Sequence, residues 1–564
     1  KMKKAILLFL FLFSTNIFSQ FDVIQIDPNA MIIDNLSILR TEKTMNKLTS
    51  DLNILFEKRN NPAEMNAFIS SSGLEVENEN VMVEILFDKE IGLKNVDMKV
   101  FDDLGVVIID KSTHSIYGYI PIKNLINVAE SYTEIKIITR PIRPVETAIT
   151  SEGVGLMNAD FWQSIGYNGS GVKVAVIDGG FQKLTLAQGN GDIPPTYVSQ
   201  DFTGSGLEAT TEHGTAVAEA VYDVAPGASL YLYKIASYTN LVNAVDACIS
   251  NGVHIVNHSM GWNIAGGYYD GTGYVCDEAT RALNNGILWV NAAGNEADYH
   301  YRGTFLDYGD GSHDFSGNGT GNLNAFGPSP GYVYSIPTGV NIRLYMNWNN
   351  YPTTNQDYDL YLFKHTTGWN VVAASTNTQD GTTPPEEYIS YTTSGTSTYY
   401  AYYVYQYSAT QNVDFTIFNG RISETWYYQK SSSLVDPGTV TDVVTVGAID
   451  RLNYASGPQE DFSCQGPTTD GRTKPDVTSP DNCNSYAYGY WYGTSLSSPH
   501  VAGVFAILKQ RFPGYTNAQL RNHLYTKCTV DLGTAGKDNI YGYGKVEMPG
   551  VFTALKVFLQ GAYR

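Results

Sequence analysis

The chain has few cysteines, few charged residues and fewer basic than acidic side chains. Only 16% of its 564 residues are charged, and 56 acidic against 36 basic residues give a formal net charge of −20. This balance argues against a nucleic-acid backbone as partner. No Cys-x-x-Cys pair occurs and the nine histidines are scattered, so no zinc site is indicated. The longest apolar run near the start, residues 5–13, is too short to span a bilayer.

That short apolar run follows Lys1-Met2-Lys3-Lys4, and the combination is typical of a secretory signal peptide cleaved near Ser19 or Gln20. An uncleaved anchor is the alternative; after cleavage we expect no membrane partner. Export permits disulfides, although five cysteines leave at least one unpaired. Cys464 and Cys483 flank the segment that leads to Ser495 and are the predicted pair. No cysteine lies in a motif, which disfavours a catalytic thiol.

A serine lies behind a Gly-Thr turn in the segment Gly493–Gly503 (GTSLSSPHVAG). Because proline is favoured in a first helical turn, we expect the helix to begin near Pro499. Ser495 would then lie at the mouth of a helix, with its hydroxyl available for chemistry. A serine hydroxyl is a weak nucleophile that needs a neighbouring base and an acid to orient that base.

Three upstream segments supply partners for that serine. The buried-strand pattern of residues 172–177 ends at Asp178, and ligands of open α/β sheets bind beyond such strand ends. His213 opens a small-residue helix, and Asn295 follows the apolar strand 287–290. An asparagine side chain at that position could donate to the oxyanion of a tetrahedral intermediate.

The order Asp178, His213, Ser495 resembles that of the subtilisin-like serine proteases. The resemblance covers about residues 150–296 and 436–530, including the segment Lys474-Pro475-Asp476-Val477. It implies a three-layer α/β core with a mostly parallel sheet. It also implies Asp178 as orienter, His213 as general base and Ser495 as nucleophile, with Asn295 and the Ser495 backbone N–H as oxyanion donors. The implied substrate-binding residues are Ser259, Met260 and Gly261, whose backbone pairs with the peptide, and Ala292, Ala293 and Gly294 in the pocket wall.

The resemblance also organises the rest of the chain. Residues 1–20 are the predicted signal peptide, and 21–148 an α+β propeptide that chaperones and inhibits the protease within the same chain. Within it, 35–59 is the clearest helix. Protease segments 149–296 and 436–550 enclose a predicted β-sandwich, 297–435, and 551–564 would begin a further β module. A permanent N-terminal domain is the alternative to a propeptide, whose junction is expected near residues 146–150.

The predicted function is that of a secreted bacterial serine endopeptidase acting on proteins or peptides, made as a zymogen and requiring no cofactor. The family's calcium loop after the histidine helix is missing here, and Glu219 replaces a small residue in that helix. Asp357 and Asp359 leave calcium open as a ligand. Glu212 suggests an alternative, a sedolisin-like site in which a glutamate is the base and an aspartate serves the oxyanion. His213 and Asn295 argue against it. The other alternative is a catalytically silent binding protein or adhesin acting through 297–435.

Overall fold

A computed structural model describes residues 22–25, 47–142, 145–146 and 152–550. The predicted signal peptide, the segment 35–46, most of the predicted junction and the predicted final strand lie outside these residues. No helix within the described ranges is both long and apolar enough to cross a membrane.

Residues 47–142, here called the N-terminal module, fold as antiparallel strands and short helices. Strand β1 (Asp22–Gln25) precedes them. The module contains α1 (Ser50–Lys58), α2 (Pro62–Ser72), β2 (Val76–Glu77), β3 (Asn80–Phe87), α3 (Met98–Asp103), β4 (Val107–Lys111), β5 (Ser115–Pro121), a 3₁₀ turn (Ile122–Asn124), α4 (Leu125–Glu130) and β6 (Ile135–Thr139). The sheet order is β2-β3-β5-β4, and β6 pairs with the later part of β3, residues 84–87, on the edge away from β5. Strand β7 (Val145–Glu146) follows.

The predicted strands of this module agree with the structure. Of the predicted helix over 35–59, residues 47–49 are not helical. In its described part the helix begins at Ser50, because Leu48 forms a parallel bridge with Ile138. Helical periodicity in the sequence could not reveal this pairing, since the partner lies far along the chain.

The central layer is a nine-stranded sheet whose strands come from both before and after residues 297–435. Residues 297–435 are called the insert here. Its first part comprises α5 (Gly153–Leu156), α6 (Ala159–Ser164), β8 (Lys173–Asp178), α7 (Leu184–Asn190), β9 (Val198–Asp201), α8 (His213–Val224), β10 (Ser229–Lys234), α9 (Tyr238–Ser250), β11 (Ile255–His258), β12 (Met260–Gly261), α10 (Tyr274–Asn284) and β13 (Leu288–Ala292). Strand β12 lies outside the large sheet and pairs with β7.

The insert contains two four-stranded antiparallel sheets. Its elements are a 3₁₀ turn (Ala297–Tyr299), β14 (His300–Thr304), β15 (Asn324–Ala325), β16 (Tyr332–Ser335), β17 (Asn341–Trp348), β18 (Asp357–His365), β19 (Trp369–Ser375), β20 (Glu386–Thr392), β21 (Tyr400–Ser408) and β22 (Asp414–Phe418). The sheets have the orders β14-β22-β17-β20 and β15-β21-β18-β19. Alternating residues such as Ile342, Leu344 and Met346 are fully buried in one cluster with side chains of β18 and β21.

The chain then returns to the central sheet. The remaining elements are β23 (Val444–Asp450), β24 (Val477–Asp481), β25 (Asn484–Ser485), β26 (Gly489–Tyr490), α11 (Thr494–Arg511), α12 (Asn517–Lys527), β27 (Thr529–Val530) and β28 (Lys545–Val546). The sheet order is β27-β28-β24-β23-β13-β11-β8-β10-β9, parallel except between β27 and β28.

Helices cover both faces of this sheet. Helices α8 and α11 pack in one apolar cluster, and α9 and α10 pack in another on the opposite face. This explains why β8 is apolar without alternation, since a parallel strand between two helical layers is buried on both sides. The predicted three-layer α/β architecture is therefore what residues 152–293 and 436–546 form.

Candidate active site

An aspartate and a histidine make direct contact at the carboxyl end of the central strand β8. Asp178 is the last residue of β8, and His213 is the first residue of α8. The His213 Nδ1 atom lies 2.7 Å from Asp178 Oδ2 and 2.8 Å from Oδ1. Both side chains are buried, and the Gly179 backbone N–H donates to Asp178 Oδ1 at 2.8 Å. A buried carboxylate in this position fixes the tautomer and the orientation of an imidazole ring.

The close approach of α8 to the end of β8 depends on a glycine. The Gly214 N–H donates to the Gly180 carbonyl at 2.9 Å, which ties the helix start to the loop after Asp178. A Cβ on Gly214 would lie 2.6 Å from that carbonyl oxygen and 2.9 Å from the Asp178 Cβ. Any larger residue would therefore separate His213 from Asp178.

Ser495 lies in the first turn of α11, which begins at Thr494 rather than near Pro499 as predicted. Pro499 lies inside the helix, where it has no N–H to offer the Ser495 carbonyl one turn earlier. The Ser259 hydroxyl donates to that carbonyl instead, at 2.7 Å. The Ser495 hydroxyl in turn donates to the Ser259 carbonyl at 2.8 Å. This compensation lets the helix include a proline, and it joins the serine to the segment before β12.

Asn295 is held by the residue that precedes the serine. Its Oδ1 accepts from the Thr494 N–H and from the Thr494 hydroxyl, both at 2.9 Å. The hydroxyl also accepts from the Gly294 N–H at 3.1 Å. Because Oδ1 accepts both of these hydrogen bonds, it faces Thr494, and this fixes the direction in which Nδ2 can donate. Thr494, which the motif contains but sequence reasoning did not single out, is thus part of the site.

The residues predicted to bind substrate lie on two neighbouring segments, and Asn291 Nδ2 donates to the Met260 carbonyl between them at 3.3 Å. Strand β12 pairs antiparallel with β7, with Met260 opposite Glu146 and Gly261 opposite Val145. The backbone of β12 thus receives an extended segment as an added strand. In the other segment Ala292 and Ala293 are buried, and Gly294 has φ +108°. A Cβ on Gly294 would lie 2.7 Å from Glu296 Oε2 and 2.9 Å from the Cys464 sulfur.

Two further histidines near the site are kept neutral by burial, which lowers the pKa of each to about 4. His258 donates from Nδ1 to the Ile177 carbonyl, and its Nε2 accepts from the Trp262 indole at 2.9 Å. His500 donates to the Leu496 carbonyl at 2.9 Å. Both rings have structural partners.

The two glutamates noted near His213, Glu212 just before α8 and Glu219 within it, occupy different environments. Glu212 forms an ion pair with Lys183 at 2.9 Å. Glu219 is buried and accepts from the Tyr486 N–H at 2.8 Å, and burial raises its pKa to about 8. The carboxylate that contacts His213 is that of Asp178, so the arrangement is not that of a glutamate base.

The predicted disulfide between Cys464 and Cys483 is wrong. All five cysteines are free and buried. Cys464 packs with Ala293 and Leu434 and accepts from the Glu296 N–H, whereas Cys483 belongs to the cluster around α8 and α11. Proximity in sequence to Ser495 does not bring the two thiols together, because each fills a separate apolar site. Among the described residues, no group of three His, Cys, Asp or Glu side chains is arranged to hold a metal ion.

A buried carboxylate paired with an imidazole, together with a serine at a helix start, is the residue combination that serine hydrolases use. In this structure the Ser495 hydroxyl donates to the Ser259 carbonyl rather than to His213. The family model of the subtilase family matches residues 169–544, and the chain belongs to this family. The comparison includes both halves of the core and the insert between them.

Individual relatives match shorter stretches. The chain is 39% identical over 116 residues to the minor extracellular protease Epr of Bacillus subtilis, covering 20% of this chain and 16% of that protein. It is 43% identical over 72 residues to an extracellular serine protease of Serratia marcescens, 13% of this chain and 7% of that protein. Over 116 residues it is 34% identical to subtilisin BL of Lederbergia lenta, 21% of this chain and 40% of that protein. The matches thus span well under two thirds of these relatives' lengths.

Among solved structures, the CspB protease of Clostridium perfringens is similar with a TM-score of 0.48 and 18% identity, over 69% of this chain and 95% of that one. A lanthipeptide protease is similar with a TM-score of 0.37 and 17% identity, over 74% of this chain and 99% of that one.

Proposed function

We propose that the protein is a serine endopeptidase that hydrolyses peptide bonds by acyl transfer to Ser495 and then to water. The contact that carries this proposal is the buried pairing of Asp178 with His213 Nδ1 at 2.7 Å. Because Nδ1 faces Asp178, Nε2 is the ring nitrogen of His213 that would accept a proton. Membership of the subtilase family supports the same assignment.

In the proposed reaction His213 takes the Ser495 proton as the hydroxyl attacks the scissile carbonyl, and then gives it to the leaving amine. Asp178 stabilises the imidazolium that forms. The oxyanion accepts from the Asn295 amide and from the Ser495 N–H, which is unpaired within the helix because it lies in the first turn. Water then attacks the acyl-enzyme with His213 again as base. No cofactor is needed for these steps.

The substrate is proposed to bind as an extended strand along Ser259–Gly261, with the side chain before the scissile bond between β12 and the wall at Ala292–Gly294. The pairing of β7 with β12 supports this, because it is the backbone interaction that a bound peptide would make. Proteins and peptides are the proposed partners.

The same pairing supports a zymogen. Residues 21–148 are proposed as a propeptide whose end occupies the substrate strand until it is cut near residues 146–150. Residues 149–296 and 436–550 are proposed as the protease domain, and 297–435 as an inserted β-sandwich. Secretion is proposed from the signal-like start and from relatives described as extracellular proteases.

Fluorophosphonate labelling with peptide mapping and N-terminal sequencing tests these proposals together. We expect label on Ser495 in a species that begins near Ile149. The His213→Ala variant should lose the label and reduce kcat/KM by about 10⁴-fold or more. Ser250→Ala, which changes a serine at the exposed end of α9, is the matched control for Ser495→Ala. A folded, processed chain that takes no label would overturn the protease assignment in favour of a silent binding protein.

A further inference from the structure

The insert contacts the N-terminal module as well as the core. Two segments before the core reach it: β1 pairs antiparallel with β16, with Asp22 opposite Ser335, and the start of α1 lies against the end of β19. The contact made by α1, α2 and Arg140 with Thr376, Asn377 and β20 is called the β20 contact here. It is separate from the site around Ser495.

An asparagine of the insert caps the first helix of the N-terminal module. The residue before α1, Thr49, makes no side-chain cap to its helix. Asn377 Oδ1 instead accepts from the Ser50 N–H and from the Ser50 hydroxyl, both at 2.6 Å. The Ser50 Oγ accepts from the Thr376 N–H at 3.0 Å. A free helix N–H needs such an acceptor, so the insert supplies a group that α1 lacks.

Asn377 is fixed from within the insert before it meets the helix. Its Nδ2 donates to the buried Glu387 carboxylate at 3.0 Å. Glu387 also accepts from Gln379 Nε2 at 3.1 Å. The acceptor that faces α1 is therefore held in place by its own side of the interface, which reduces the entropy lost when the helix binds.

A cation and an aromatic ring meet beside this cap. Arg140 of the N-terminal module pairs with Asp51, donating from Nε to Oδ2 at 2.8 Å. Its guanidinium lies over the Tyr388 ring at 4.2 Å from the centroid, and Tyr388 packs on Tyr345 at 4.8 Å. An arginine that stacks on an aromatic face with its fork engaged by a carboxylate is well suited to a partly buried interface.

The backbone also approaches closely. Gly73, the residue that ends α2, has φ +69°, and a Cβ there would lie 3.0 Å from Ser390 Oγ of β20. Beside these contacts is a cavity of about 390 Å³, lined by residues of the N-terminal module, the insert and the segment after β12. Part of the interface is thus not closely packed.

We propose that Asn377 and Tyr388 form a docking surface that keeps the N-terminal module bound after the chain between module and core is cut. Cutting near residues 146–150 severs the covalent link, but it breaks none of the β20 contact. The other surface of the module lies on α9, where Glu84 accepts from the Thr239 N–H at 2.9 Å. The insert would therefore act as a second anchor that slows loss of the module.

This inference rests on the proposed cut near residues 146–150, but its test does not depend on catalysis by this protein. The full chain carries Ser495→Ala, and a recognition sequence for a site-specific protease replaces residues 147–150. After cutting, the protein is held on a resin by a C-terminal tag, and release of the N-terminal fragment is followed over time. We expect slow release, and about fivefold faster release for each of Asn377→Ala and Tyr388→Leu, since a hydrogen bond or a cation–π contact of about 1 kcal/mol corresponds to that factor.

Matched controls lie elsewhere in the insert. Asn370→Ala removes an amide that bonds only within its own turn, to Thr366 and Gly368, and Tyr428→Leu changes an exposed tyrosine. Thermal unfolding checks that each variant is folded. If an insert variant is not, Ser50→Ala tests the cap from the module side. The double variant Asn377→Ala/Tyr388→Leu should release the fragment about 25-fold faster. Release of the unsubstituted fragment within the dead time, or equal release from the double variant, would overturn the proposal.

Discussion

Thr494 donates twice to the Asn295 amide oxygen, from its backbone N–H and from its hydroxyl, each at 2.9 Å. The residue next to the proposed nucleophile therefore orients the proposed oxyanion donor. The two halves of the core, one before the insert and one after it, are joined at this point.

Removing the Thr494 hydroxyl should reduce turnover without weakening substrate binding. Thr494→Val keeps the N–H but loses one hydrogen bond to Asn295 and the acceptor for the Gly294 N–H. We expect kcat to fall about tenfold with KM nearly unchanged, because the bond acts on a transition-state donor. Thr494→Ser should restore most of the rate. Steady-state kinetics on a peptide substrate measure this, and an unchanged kcat for the valine variant would contradict it.

Removing the Asn295 amide should have a larger effect. Asn295→Leu is expected to lower kcat by about 10²- to 10³-fold, the size of loss that removal of one oxyanion donor causes in subtilisin. Labelling of Ser495 should persist, because the serine and its base remain. Equal losses in the Asn295→Leu and Thr494→Val variants would show that the threonine acts in some other way.

A double-mutant cycle tests whether Ser259 replaces the N–H that Pro499 lacks. Ser259→Ala leaves the buried Ser495 carbonyl unsatisfied and should destabilise the chain by about 1–3 kcal/mol. Pro499→Ala restores an N–H one turn along, so it should recover part of that loss in the Ser259→Ala background. Urea unfolding of chains that also carry Ser495→Ala, to prevent autolysis, gives the four stabilities. An additive double variant would argue against this compensation.

A methyl group on Gly214 should push α8 away from Asp178. Gly214→Ala is expected to cost about 1–3 kcal/mol of stability and to lower kcat, because the added Cβ meets the Gly180 carbonyl and the Asp178 Cβ. Gly189→Ala in α7 is the control, since a Cβ there meets nothing within 4 Å. Melting temperature and kcat should be lower for Gly214→Ala than for Gly189→Ala. Equal values for the two variants would show that the loop after Asp178 moves to accept the methyl group.

The contact between the N-terminal module and α9 should weaken as pH rises. Burial raises the pKa of Glu84 to about 7, above its usual value of about 4.3. An acid that binds its proton more tightly in the folded state favours folding at low pH, and this contribution is lost as pH rises from about 4 to 7. Glu84→Gln should remove this dependence, which is at most a few kcal/mol. Melting temperatures of both chains between pH 4.5 and 8, in the Ser495→Ala background, measure the difference; parallel curves would contradict it.

The thiols should all be free and unreactive in the folded chain. Burial raises the pKa of each cysteine above its usual value, which suppresses the reactive thiolate. A thiol reagent should react slowly with native protein and count five thiols after denaturation without reductant. A count of three free thiols would instead indicate one disulfide and contradict this prediction.

The sequence predicted those features of the site that are local. Asp178 at a strand end, His213 at a helix start and Asn295 after a strand follow from patterns of a few residues each. The start of α11 was misplaced because the partner that allows Pro499 inside the helix, Ser259, lies 236 residues before Ser495. The cysteine pairing failed for the same reason, since sequence spacing does not report which apolar cluster receives a thiol.

In the fold, too, local patterns could be predicted and long-range contacts could not. The apolar run of β8 predicted a buried parallel strand, and alternation in β17 predicted a half-buried one. The Asn377 cap of α1 could not be predicted, because α1 and its acceptor are more than 300 residues apart and neither segment carries a motif. Contacts between independently patterned units depend on surface shapes that periodicity does not encode.

The insert leaves and re-enters the core at nearly one point, since the Val435 N–H donates to the Ala293 carbonyl at 3.2 Å. Strands β13 and β23 on either side of it are direct neighbours in the sheet. A segment with its ends so close can be gained, lost or exchanged during evolution while the strand order stays the same. An alignment with a relative that lacks it must therefore divide into two blocks beside Asn295, with the proposed oxyanion donor at the edge of the first.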